Sequence, residues 1–109
     1  MAQRRITDRD RMRFTEGDCL ILAEELSAVT GYPVYSLRSE WGHDLHAFVL
    51  MPGRKALDVT GTMHVQTMVA KWGALGYMRG AWDGLPESFR GSRRRARQIA
   101  PLLAEQARG

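Results

Sequence analysis

Leu45-His46-Ala47-Phe48-Val49-Leu50-Met51-Pro52-Gly53-Arg54-Lys55-Ala56-Leu57-Asp58-Val59-Thr60 is the stretch that decides the fold. Two apolar runs, Leu45–Met51 and Lys55–Thr60, flank the turn signal Pro52-Gly53-Arg54, which reads as an antiparallel β-hairpin. Each run carries one ionisable residue out of character with its neighbours: His46 in the first, Asp58 in the second. A carboxylate between Leu57 and Val59 needs a partner if buried, and His46 is the natural one. Side chains alternate along a strand, so register decides whether the two can meet. If Met51 pairs with Ala56, Asp58 falls opposite Val49, on the face away from His46. If Met51 pairs with Lys55, Asp58 falls opposite Phe48 and diagonal to His46, roughly 7–8 Å away along the backbone. A three-residue turn with Gly53 left-handed supplies the second register.

Upstream, Val34–Arg38 reads as a short strand and Ser39–Asp44 as a loop. Before them, Gly17-Asp18-Cys19-Leu20-Ile21-Leu22-Ala23-Glu24-Glu25-Leu26 opens a helix over about Cys19–Val29. Asp18 suits the N-cap. Cys19, Leu22, Ala23, Leu26 and Thr30 share one face, with Glu24 and Glu25 off it. Gly31 and Pro33 end the helix. Residues 4–14 are polar and Arg-rich, which reads as a loosely packed arm or a short helix.

Downstream, Val65, Met68 or Val69, and Trp72 fit a helix from about Thr62 that Gly73 stops. Residues 73–91 are glycine-rich and read as loop, with a turn of helix after Pro86. Ser92 caps a last helix whose apolar face includes Ala96, Ile99 and Leu103, and Pro101 would kink it or start a new segment. The order is α+β: an N-terminal helix packed on a small antiparallel sheet, followed by C-terminal helices, in a single domain over 1–109. Trp72, Trp82, Met63, Met68 and Met78 read as core or as an oligomer contact.

The chain has 109 residues, 44% hydrophobic and 26% charged, ordinary values for a globular domain. One cysteine excludes an internal disulfide and a multi-cysteine metal site. No apolar run approaches a membrane span, and the start lacks a signal-peptide core, so the expected compartment is the cytoplasm. The net charge of +4 is uneven. Residues 1–13 and 88–109 are basic, while the middle is mildly acidic. Such ends are solvated termini, or they attract a polyanion through Arg93, Arg94, Arg95 and Arg97. No aromatics interleave with these arginines, so base stacking is not suggested.

Cys19 falls in the first turn of its helix, where backbone N–H groups and the helix dipole favour a thiolate. A cysteine nucleophile needs a base and a group to orient that base. Cys19, His46 and Asp58 supply the three parts. His43-Asp44-x-His46 raises a metal reading with Cys19 or Asp58 as a further ligand, but an extended segment points the two histidines to opposite faces, so neither a metal nor another cofactor is expected. His64 reads as a surface residue. Tyr32, Tyr35 and Trp41 are candidates for the rim of the site.

Gly17-Asp18-Cys19, Leu22-Ala23, Leu26, Thr30-Gly31, His46-Ala47 and Leu57-Asp58-Val59-x-Gly61 resemble the papain-like (transglutaminase-like) cysteine peptidase superfamily, in particular its small phage and bacterial members. The resemblance covers about residues 15–62. It implies that Cys19 is the nucleophile, His46 the general base and Asp58 the orienting acid. It implies thiol chemistry on an amide or ester of a protein or peptide: proteolysis, deamidation, amide hydrolysis or acyl transfer. Papain-type enzymes carry a Gln before the Cys that completes the oxyanion hole; residues 12–18 here are Met-Arg-Phe-Thr-Glu-Gly-Asp. The Cys19 N–H is one available donor, and Thr15, Arg13 and Trp41 are candidates for a second. Two rival functions follow from these departures: a papain-like binding protein without turnover, such as a phage factor that blocks a host protein, and a nucleic-acid accessory protein acting through its basic ends.

Overall fold

The computed structural model describes residues 5–80 and 91–108. The turn of helix after Pro86 and the role of Trp82 fall outside them. Helix α1 spans Asp8–Glu16 and α2 spans Cys19–Thr30. Strands β1 (Val34–Arg38), β2 (Asp44–Met51), β3 (Lys55–Asp58) and β4 (Gly61–His64) follow, then α3 (Val65–Trp72), β5 (Gly76–Arg79) and α4 (Ser92–Arg108). The five strands form one antiparallel sheet in the order β4-β3-β2-β1-β5. The α+β arrangement expected from the sequence is therefore the fold.

The hairpin takes the register with Met51 opposite Lys55 and Leu50 opposite Ala56. Its turn is Pro52-Gly53-Arg54, with Gly53 at φ 78° and Arg54 at φ 59°, both left-handed. The Val65 N–H donates to the Arg54 carbonyl at 2.8 Å, which ties the turn to the start of α3. With the register fixed, the two sheet faces separate. Val49, Leu57 and Val59 lie under Ile21, Leu22 and Leu26 of α2 and Ala96, Ile99 and Leu103 of α4. Leu37, Phe48 and Ala56 lie under Val65 and Met68 of α3.

Several elements depart from the sequence expectations. Residues 4–14 were expected to be a loosely packed arm or a short helix; a short helix forms, and it is firmly packed rather than loose. Thr7 and Asp10 form a reciprocal capping box, and Phe14 is fully buried against α2 and α4. The inward stripe of α2 is broader than its periodicity suggested, because Leu20 and Ile21 are buried as well. β4 occupies residues read as the start of a helix, and β5 lies in the stretch read as loop. Both are four-residue strands, too short to express an alternating pattern. α4 runs through Pro101 as one helix. Pro101 sits on its exposed face, where water can bond the carbonyl that the proline leaves unpaired.

Candidate functional site

Three elements deliver the three predicted residues to one place. The Leu50 N–H donates to the Pro33 carbonyl (3.1 Å), so amides at even positions along β2 face the β1 side and the Ala47 amide faces the β3 side. β3 pairs with β2 only as far as Val49–Leu57. The Ala47 N–H has no strand opposite it, and the Cys19 Sγ accepts it at 3.4 Å. Cys19 opens α2, so its sulfur reaches the sheet at the gap where β3 has ended. The thiol residue is 3% exposed.

His46 is completely buried. Its Nε2 lies 2.8 Å from Asp58 Oδ2. A carboxylate only accepts, so Nε2 carries the proton. The second Asp58 oxygen accepts from the Thr60 N–H (2.8 Å) and the Thr60 hydroxyl (2.6 Å), which folds the β3–β4 turn around the carboxylate. Both oxygens are engaged, and the carboxylate cannot rotate without breaking a bond. Among the described residues, His46 Nδ1 has no hydrogen-bond partner. It is the ring nitrogen left for the thiol. The sulfur is near enough to act on the ring electrostatically, although no hydrogen bond closes between them.

The electrostatics follow from this packing. Burial alone would lower the His46 pKa. The hydrogen bond to Asp58, the nearby Cys19 sulfur and the Asp58 charge outweigh it and raise the pKa from 6.5 to about 9. Burial would likewise raise the Asp58 pKa, but His46 and the two Thr60 bonds hold the carboxyl below its usual range. The pair is therefore imidazolium and carboxylate at neutral pH. The Trp72 indole stacks on the imidazole, with centroids 4.5 Å apart and 12° between planes. An aromatic face covers the ring and keeps water from the His46–Asp58 bond.

Sequence reasoning missed two participants here. Trp72 was read as core or oligomer contact, and Thr60 as an ordinary strand residue. Neither has a local signal, since Trp72 meets His46 only because α3 folds back over β2. Asp18 was expected to cap α2 but makes no cap hydrogen bond. Its buried carboxylate instead accepts from the Ser92 hydroxyl, linking the start of α2 to the start of α4.

The other candidates disperse. Among the described residues no hydrogen bond joins Thr15, Arg13 or Trp41 to Cys19, and the Cys19 N–H itself has no backbone acceptor. Tyr35 packs on Phe48 and Tyr77 in the core, and Tyr32 lies by Met51 at the far end of β2, so neither rims the site. Met68 is buried core, whereas Met78 is half exposed. His64 is exposed as expected and caps α3, its Nδ1 accepting from the Gln66 N–H at 3.1 Å. His43 is exposed on the β1–β2 loop, and Asp44 bonds Ser36 and pairs with Arg38, each at 3.0 Å. Among the described residues no group of three or more His, Cys, Asp or Glu could hold a metal ion.

The basic C-terminal segment is part of the globule. Arg93 pairs with Glu24 (2.8 Å) and Glu25 (3.0 Å), Arg97 approaches Glu25 at 3.5 Å, and Arg95 holds Asp10 at 2.7 Å. Three of the four arginines considered for nucleic-acid contact thus face acidic residues of α1 and α2. No described helix is long and apolar enough to cross a membrane. Comparison with protein-family models, curated proteins and solved structures returns no match.

Proposed function

We infer that the protein is a small cysteine hydrolase or acyltransferase of papain-like fold, acting on an amide or ester of a protein or peptide. The observation that carries this reading is the buried His46: one ring nitrogen is fixed by Asp58, and the other is unpartnered beside Cys19. His46, as the imidazolium, already holds on Nδ1 the proton taken from Cys19, and the thiolate adds to the substrate carbonyl carbon. The Cys19 N–H, in the first turn of α2, donates to the resulting oxyanion. As the C–N or C–O bond breaks, His46 returns the proton to the leaving group, and a thioester remains on Cys19. Water, or an acceptor amine, then releases the acyl group with His46 as base. Asp58 keeps Nε2 protonated and the ring in place throughout. A lone thiol with no intrachain disulfide partner suits a reducing compartment, and we place the protein in the cytoplasm.

A second reading keeps the fold without turnover. The depth of the thiol favours it. The rate of Cys19 alkylation by iodoacetamide between pH 5 and 10 tests the chemistry. The wild-type protein is expected to react at pH 6 at least roughly tenfold faster than His46→Ala or His46→Gln, circular dichroism confirming that the variants fold. Equal rates and the same pH profile in wild type and a folded His46 variant overturn the catalytic reading. A reactive thiol that forms no thioester with any activated ester favours the binding protein.

A further inference from the structure

Two of the most exposed large apolar side chains in the described residues, Trp41 (79% exposed) and Leu75 (75%), lie on different loops yet line the same cavity of about 390 Å³. Its lining also includes Leu45, the residue before His46, and Trp72, the ring stacked on His46. The cavity and the candidate catalytic base therefore share a wall. Exposed aromatic surface of this kind is unfavourable unless something covers it.

The loop that presents Trp41 is held in place. The Ser39 N–H donates to the His43 carbonyl (2.9 Å) and the Gly42 N–H to the Ser39 carbonyl (3.0 Å). The Ser39 hydroxyl accepts from the Trp41 and His43 amides at 3.3 and 3.1 Å. Arg38 Nη1 donates to the Gly42 carbonyl at 3.0 Å, and the Leu75 N–H donates to the Arg38 carbonyl at 2.8 Å, joining the two loops. These bonds fix the loop backbone from which the Trp41 side chain projects.

Charge selects the occupant. Among the described residues lining the cavity, Glu40 is the only ionisable one. The neighbouring Arg38 is paired with Asp44. Indole faces attract a cation, a carboxylate adds to that attraction, and leucines suit an aliphatic stem. We propose that this cavity is a specificity pocket for a cationic side chain, lysine or arginine, next to the bond cleaved or transferred at Cys19. The proposal rests on the cysteine chemistry for its catalytic use, but binding is separable from it.

The experiment has two arms. In the first, wild-type and Glu40→Gln proteins hydrolyse N-acetyl-lysine and N-acetyl-norleucine methyl esters. The lysine ester is expected to have roughly tenfold higher kcat/KM, and Glu40→Gln to bring the ratio near one. In the second, N-acetyl-lysine and N-acetyl-norleucine N-methylamides are titrated at millimolar concentration into the Cys19→Ala protein. The Trp41 indole N–H, assigned with Trp41→Phe, is expected to shift with the lysine compound and not with norleucine. A lysine-selective shift without turnover of either ester supports the pocket and refutes the cysteine chemistry. Turnover with no lysine preference, or a preference that Glu40→Gln leaves intact, overturns the pocket and leaves the chemistry standing. No shift and no turnover overturn the pocket as well.

Discussion

Asp58→Asn isolates the electrostatic core of the site. The amide oxygen can keep both Thr60 bonds, which hold the β3–β4 turn. The amide nitrogen then faces His46 Nε2 and can only donate, so the imidazole must accept there and carry its proton on Nδ1. The ring is thereby put in the tautomer that cannot take a proton from Cys19. In the wild-type protein His46 titrates near 9 rather than 6.5. At about 1.4 kcal/mol per tenfold change in protonation, this is about 3 kcal/mol of stability. Because the folded pKa is the higher one, that stability is fully present below pH 6.5 and disappears as pH rises through 9. In the variant, burial is no longer opposed by the carboxylate, and the His46 pKa falls below 6.5. At pH 6 the variant should therefore lose at least about 3 kcal/mol, in the range for breaking a buried ion pair. By pH 9.5 the deficit should narrow to roughly 1 kcal/mol, the worth of a neutral hydrogen bond. Urea denaturation at pH 6, 7.5 and 9.5, with NMR titration of the His46 ring, measures both quantities. A wild-type His46 that titrates at or below 6.5, or a deficit equal at pH 6 and 9.5, refutes the reasoning.

Two further outcomes follow from the same geometry. The buried Asp10 carboxyl, which burial alone would raise, is lowered from 3.8 to about 2 by Arg95 and Thr7. Its stabilisation is present above pH 3.8 and lost as pH falls through 2, so Asp10→Asn should cost about 2 kcal/mol at pH 7 and almost nothing near pH 2, read from acid-dependent thermal unfolding. Inserting one glycine after Gly53 shifts β3 by one residue if β2 and β4 keep their places. Asp58 then turns to the face under α2 and α4, and His46 in any folded product should titrate below 6.5 by NMR; an unchanged His46 pKa would show that the register does not bring the pair together.

The hairpin was legible because its signals agree. Two apolar runs, one turn and two misplaced ionisable residues admit few registers, and only one of them lets Asp58 meet His46. The ends were less legible. The Arg-rich segments read as solvated because sequence shows charge and not its partners. Glu24 and Glu25, off the inward stripe of α2, looked like ordinary surface residues until α4 laid Arg93 and Arg97 across them. Asp18 looked like a cap because local hydrogen bonding is the default for an aspartate before a helix, yet Ser92, distant in sequence, takes its carboxylate. Contacts that depend on where α3 and α4 dock leave no periodic trace.

These distant contacts bear on how a 109-residue chain could hold the proposed site in place. α2 delivers Cys19, and its start is tied from two sides: Phe14 of α1 packs against it, and Ser92 of α4 bonds Asp18 beside the thiol. Asp10 and Arg95 then lock α1 to α4. α1 and α4 thus form a brace around the helix that carries Cys19. A group poised for chemistry must be held to within a fraction of an ångström, and a small core alone gives little rigidity at a helix terminus. On this view Arg93 and Arg95, paired with Glu24, Glu25 and Asp10, contribute to the site by positioning.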